Sequence, residues 1–111
     1  MTKGDWLISA EHARRALPPA PARQWVRLME NGSMHAGLYA PPDHDDQTPH
    51  DQDEVYVVLS GSGTFVRDGE RRAFGPGDLI FVPAGMPHRF EDFTKDFAVW
   101  VVFYGPKGGE S

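Results

Sequence analysis

The chain has 111 residues, 40% of them hydrophobic, which suits one domain with its own core and argues against disorder. Eleven basic residues against sixteen acidic ones give a formal charge of −5, with no basic cluster beyond Arg14-Arg15 and Arg71-Arg72, so nucleic-acid binding is disfavoured. Cysteine is absent, which excludes disulfides and thiolate metal sites and leaves His, carboxylate and amide groups as metal ligands.

Residues 1–6 carry no apolar signal region, and no stretch approaches the ~20 apolar residues of a membrane span, so a cytoplasmic protein with no membrane partner is expected. Ser9 to Leu17 reads as a short helix, capped by Ser9 and stopped by Pro18-Pro19, followed by a Pro/Ala arm to Arg23. From Gln24 the pattern is one of strands. Trp25–Met29 and Met34–Ala40 flank Asn31-Gly32, a pair suited to the positive φ angles of a tight hairpin. A polar loop over 41–49 leads to Glu54–Leu59, a β-branched and aromatic run that predicts a strand. Gly61-Ser62-Gly63 turns the chain into Thr64–Arg67, and Asp68-Gly69 turns it into Arg71–Phe74. Gly75 to Asp78 precedes Leu79–Val82, and Pro83–Pro87 is a loop before a strand at His88–Phe93. The last run is Phe97–Tyr104, and 105–111 reads as a flexible tail. Closely spaced turn signals without βαβ alternation or internal repeats imply an all-β sandwich or closed barrel. The expected division is a helix and arm over 1–23, a barrel over 24–104 and the tail.

Two segments carry the chemistry. One runs from Thr48 through His50, Gln52 and Glu54 to Gly61; the other runs from Gly77 through Pro83, Gly85 and His88 to Asp92. His12 on the helix and His35 in an early strand read as ordinary histidines, and His44 as a solvated residue of the acidic loop. Glu54 is different, because it opens an otherwise apolar strand and alternation places it on one face with Tyr56 and Val58. If that face is the interior, an unpaired carboxylate there is costly and needs a cation. An arginine is one partner; a metal held by His50, Glu54 and His88 is the expected one.

These segments resemble the two motifs of the cupin superfamily over about residues 34–104. The first motif is G-x5-H-x-H-x(3–4)-E-x6-G, whose second half is matched by His50, Glu54 and Gly61. The second is G-x5-P-x-G-x2-H-x3-N, matched by Gly77, Pro83, Gly85 and His88. Three positions depart: Pro42 replaces the opening glycine, Thr48 the first histidine, and Asp92 the closing asparagine. The resemblance implies an antiparallel β-barrel of the jelly-roll (double-stranded β-helix) type, a homodimer, and one divalent ion on His50, Glu54 and His88. In a shifted register Gln52 supplies a weaker amide ligand; His44 or a loop aspartate is a further substitute. Such an N/O set accepts Fe, Mn, Ni, Co, Cu or Zn.

Thr48, Tyr56 and Phe90 are the expected pocket residues. On the last strand, Trp100, Val102 and Tyr104 share one face and Val99, Val101 and Phe103 the other, and the alternation leaves open which lines the cavity. The aromatics either wall a small-molecule pocket or fill the barrel. The leading function is a metal-dependent enzyme, of oxygenase or isomerase type, acting on a small organic molecule. The competing one is a barrel that binds or senses such a ligand without turnover.

Overall fold

A computed structural model describes residues 6–111; the first five residues of the expected arm lie outside the described residues. Ser9 caps α1 (Ala10–Ala16), its hydroxyl accepting the His12 N–H at 3.0 Å, and Leu17 leaves in an extended conformation before Pro18. Eight antiparallel strands follow: β1 (Trp25–Asn31), β2 (Met34–Tyr39), β3 (Asp53–Ser60), β4 (Gly63–Arg67), β5 (Glu70–Phe74), β6 (Leu79–Val82), β7 (His88–Glu91) and β8 (Ala98–Tyr104). They form a five-stranded sheet, β1-β2-β8-β3-β6, and a three-stranded sheet, β5-β4-β7. The two sheets enclose the main core of a jelly roll without hydrogen-bonding into a continuous cylinder.

Alternation decides what each strand buries. Glu54, Tyr56 and Val58 of β3 point between the sheets, as do Val99, Val101 and Phe103 of β8 and Phe90 of β7. Trp100 faces the other way and packs with Leu28, Leu38 and Ala98 beneath Ala13 of α1. The helix thus covers the outer face of the larger sheet, burying apolar area that would otherwise stay wet. Among the described residues no helix is long and apolar enough to cross a membrane.

Three local features differ from the sequence expectations. The β1–β2 turn is Gly32-Ser33, one residue beyond Asn31-Gly32, because Asn31 pairs with Met34 and only Gly32 takes a positive φ, of 59°. β1 carries a bulge between Arg27 and Met29, so Leu28 is the extra residue and alternation changes phase there. β7 ends at Glu91 instead of Phe93, because Asp92 adopts φ 53° and breaks the extended run. Asp tolerates that left-handed conformation much as Asn does, so Asp92 preserves the backbone bend of the resembled motif. The glycine-rich tail is tied back: Gly108 N–H donates to the Asp51 carbonyl at 2.6 Å and Glu110 N–H to Asp53 Oδ2 at 2.8 Å.

Candidate metal centre

His50, Glu54 and His88 converge at one end of the space between the sheets, with their ligand atoms all within 4.8 Å of one another. Each arrives on a different element. Glu54 is the second residue of β3, His88 opens β7 in the opposite sheet, and His50 ends the polar loop before β3. The two loops brace each other through Gly85, whose N–H donates to the His50 carbonyl at 2.7 Å from a positive φ of 78°, a conformation that favours glycine. Asp53 adds a second clamp: its carboxylate accepts the Ala84 and Glu110 N–H groups, which hold its pKa below the ordinary carboxylate value.

The protonation pattern fits a cation. His88 donates Nδ1–H to the Met86 carbonyl at 2.8 Å, which leaves Nε2 of the neutral ring bare and aimed at the site. That nitrogen lies 2.9 Å from Glu54 Oε1. Glu54 is 1% exposed, and neither of its oxygens has a well-aligned hydrogen-bond donor. A bare imidazole nitrogen against a carboxylate oxygen is repulsive unless a proton or a cation accompanies it. Burial works against the charge of His88, yet its hydrogen bonds to Glu54 and to the Met86 carbonyl outweigh burial and raise its pKa. His50 moves the other way, because burial lowers its pKa and keeps the ring neutral, as a ligand must be.

Gln47 is a neighbour that sequence reasoning missed. Its Oε1 lies 3.1 Å from His50 Nε2 and accepts the Tyr56 hydroxyl at 3.2 Å, while its Nε2 donates to Asp45 Oδ2 at 2.6 Å. The Asp45 contact fixes which end of the amide is oxygen, since a carboxylate only accepts. Asp45 itself is buried and also accepts the Tyr39 hydroxyl at 2.7 Å and the Phe90 N–H at 2.9 Å. Nothing in the spacing distinguishes Asp45 from Asp43 and Asp46, so its bracing role was not readable.

The other expected residues differ in how they stand to the three candidate ligands, with Gln52 on the same cavity lining as His50 and Glu54. Gln52 spends its amide N–H groups on the Ser33 and Gly105 carbonyls, each at 2.9 Å. Thr48 lines a neighbouring cleft with Pro41 and Asp43. His44 is exposed. Tyr56 does reach the site, with its hydroxyl 3.0 Å from His88 Nε2. Phe90 lies beneath it in a packed aromatic floor, at ring separations of 4.9 Å from Tyr56 and 4.8 Å from Phe65. Phe65 and Phe90 thus fill the interior next to Tyr56. Beside His50 and Glu54 opens a cavity of about 360 Å³ lined by Trp25, His35, Val101 and Phe103 among others.

The family profile described as Cupin domain matches residues 38–104. A Streptomyces coelicolor protein described as uncharacterized is 36% identical over 85 residues, covering 75% of this chain and 81% of that one. The dimethylsulfoniopropionate lyase DddQ of Ruegeria pomeroyi is 37% identical over 73 residues, which are 65% of this chain and 34% of the lyase. An acireductone dioxygenase of Leishmania infantum is 47% identical over 60 residues, 49% of this chain and 17% of the dioxygenase. The chain thus spans about a third or less of these two relatives with named activities. A Cupin 2 conserved barrel domain protein from Salinispora arenicola superposes with a TM-score of 0.61 at 26% identity, covering 74% of this chain and 75% of that one. Sequence match, fold and the convergence of motif residues agree: the chain belongs to the Cupin domain family.

Proposed function

We propose that the chain is a metal-dependent enzyme that acts on a small organic molecule bound beside one divalent ion. The observation that carries this reading is Glu54, a buried carboxylate without an aligned donor, set among the nitrogens of His50 and His88 at the floor of a cavity. A divalent ion on these residues supplies Lewis-acid polarisation of a bound oxygen or access to dioxygen chemistry. The relatives named as a lyase and as dioxygenases support reactions of this breadth. Met86 orients His88, and the aromatic floor below Tyr56 excludes water from that side. His35 lines the same cavity outside the ligand set, stacked on Phe103 at 4.7 Å; burial lowers its pKa, so a neutral imidazole able to accept a proton faces the substrate space.

The test is reconstitution of the metal-free protein with Fe(II), Mn(II), Ni(II) and Zn(II), then a screen of small phenols, diketones, sugars and carboxylic acids with and without dioxygen. Turnover that disappears in Glu54→Ala supports the enzyme. Tight binding of a panel member without product under every metal favours the ligand-binding barrel instead.

Gln47 is favoured over Gln52 as the amide oxygen of the set, because Gln47 Oε1 sits against His50 while the Gln52 amide is oriented by its N–H bonds to two carbonyls. Gln47→Ala is expected to weaken Zn(II) binding roughly tenfold, within the range for groups that support a metal site. Gln52→Ala is expected to change it less than Gln47→Ala does. Competition titration against a chromophoric chelator measures both, and a larger effect at Gln52 reverses the assignment.

Two copies of the chain associate through the N-terminal arm. Support comes from Trp6 and Leu7, 83% and 69% exposed beside an apolar groove that includes Leu28, Met29 and Trp100. Light scattering at micromolar concentration is expected to give twice the chain mass, and the monomer mass after Trp6→Ser with Leu7→Ser. A monomeric full chain excludes the dimer.

A further inference from the structure

The cavity beside His50 and Glu54 carries a cation with no anion assigned to it. Two arginines are on its lining, Arg23 and Arg27. Arg27 is held by Glu30 at 2.7 Å. The Arg23 side chain makes no ion pair or hydrogen bond among the described residues; its guanidinium lies over the Tyr39 ring, 5.7 Å from the centroid. We infer that the molecule bound beside the ion carries an anionic oxygen group, a carboxylate first of all, and that Arg23 at the cavity wall receives it. The inference rests on the metal-enzyme reading above and names the substrate class for that site.

Arg23 is presented on a fixed platform. The Tyr39 hydroxyl donates to Asp45 at 2.7 Å, and Asp45 is anchored in turn by the Phe90 N–H, so the ring under the guanidinium is immobilised from below. A guanidinium held over an aromatic ring leaves N–H groups for another partner, and its planar fork matches a carboxylate. The acids on the same lining are Glu54, which faces the two imidazoles, and the exposed Asp51. Trp25, Val101 and Phe103 give the same lining its apolar part. The cavity therefore selects a small molecule with an oxygen donor for the ion, a short apolar middle and a terminal carboxylate. Its volume of about 360 Å³ lies within the range of small-molecule pockets.

Monohydroxamates of malonic, succinic and glutaric acid test this, each paired with a twin whose free carboxylate is a neutral amide. The hydroxamate binds the ion, and the spacer series covers the reach to Arg23. Calorimetry on the Ni(II)-loaded full chain is expected to show the best carboxylate binding on the order of tenfold tighter than its amide twin. In Arg23→Gln the two are expected to bind alike, with Ni(II) content and affinity for the amide twin unchanged. Arg72→Gln removes the same charge in the cleft beside β5, outside this cavity, and is expected to keep the preference. Equal binding of carboxylate and amide at every spacer length, or a preference that survives Arg23→Gln, overturns the Arg23 assignment and leaves the metal site standing. A chain that takes up no Ni(II), or that binds neither twin, overturns both.

Discussion

Glu54→Ala is expected to lower Zn(II) affinity about a hundredfold or more. Structural zinc sites release roughly 10–16 kcal/mol over about four ligands, so each ligand is worth about 3 kcal/mol. Glu54 is the only carboxylate of the three-residue set, and its loss leaves two neutral imidazoles to hold a divalent charge. A second readout follows from linkage: an ion that binds only the folded chain stabilises it by about 4 kcal/mol at a thousandfold excess over its Kd. Zn(II) is therefore expected to raise the melting temperature of the native chain and to raise that of Glu54→Ala by about a third as much or less. An equal rise in both proteins removes Glu54 from the ligand set.

The second large effect is on stability. Asp45→Ala is expected to cost roughly 3–5 kcal/mol in urea denaturation, because it strands several buried donors at about 1–3 kcal/mol each. Those donors are the Tyr39 hydroxyl, the Phe90 N–H and the Gln47 amide, which join the polar loop to β2 and β7. Tyr39→Phe removes one of these partners and is expected to cost about 1 kcal/mol. A loss below about 1 kcal/mol for Asp45→Ala makes Asp45 an ordinary loop acid and removes the anchor proposed for the Tyr39 platform.

Alternation made the interior of β3 readable. A charged residue opening the run Val55–Leu59 had to share a face with Tyr56 and Val58, and that face is buried. The second motif was equally legible, since Gly85 and the prolines around it shape the loop that aims His88. What escaped was long-range or a matter of phase. The bulge at Leu28 shifts β1 by one residue, and no local composition marks it. Gln47 and Gln52 are equally polar in the sequence; only the folded loop shows one against His50 and the other bound to carbonyls. Arg23 belongs to a connector that reads as an extended arm, yet β2 brings Tyr39 beneath it. These placements depend on register, on partners far apart in the chain or, for Gln47, on the path of an irregular loop, none of which hydrophobic periodicity encodes.

The most direct measurement is anomalous diffraction at the zinc absorption edge from crystals of the Zn(II)-loaded chain. One strong peak is expected between the sheets, within about 2.1 Å of a ring nitrogen of His50, a ring nitrogen of His88 and a carboxylate oxygen of Glu54. A stoichiometrically bound ion located elsewhere, or one that contacts fewer than two of these residues, contradicts the account.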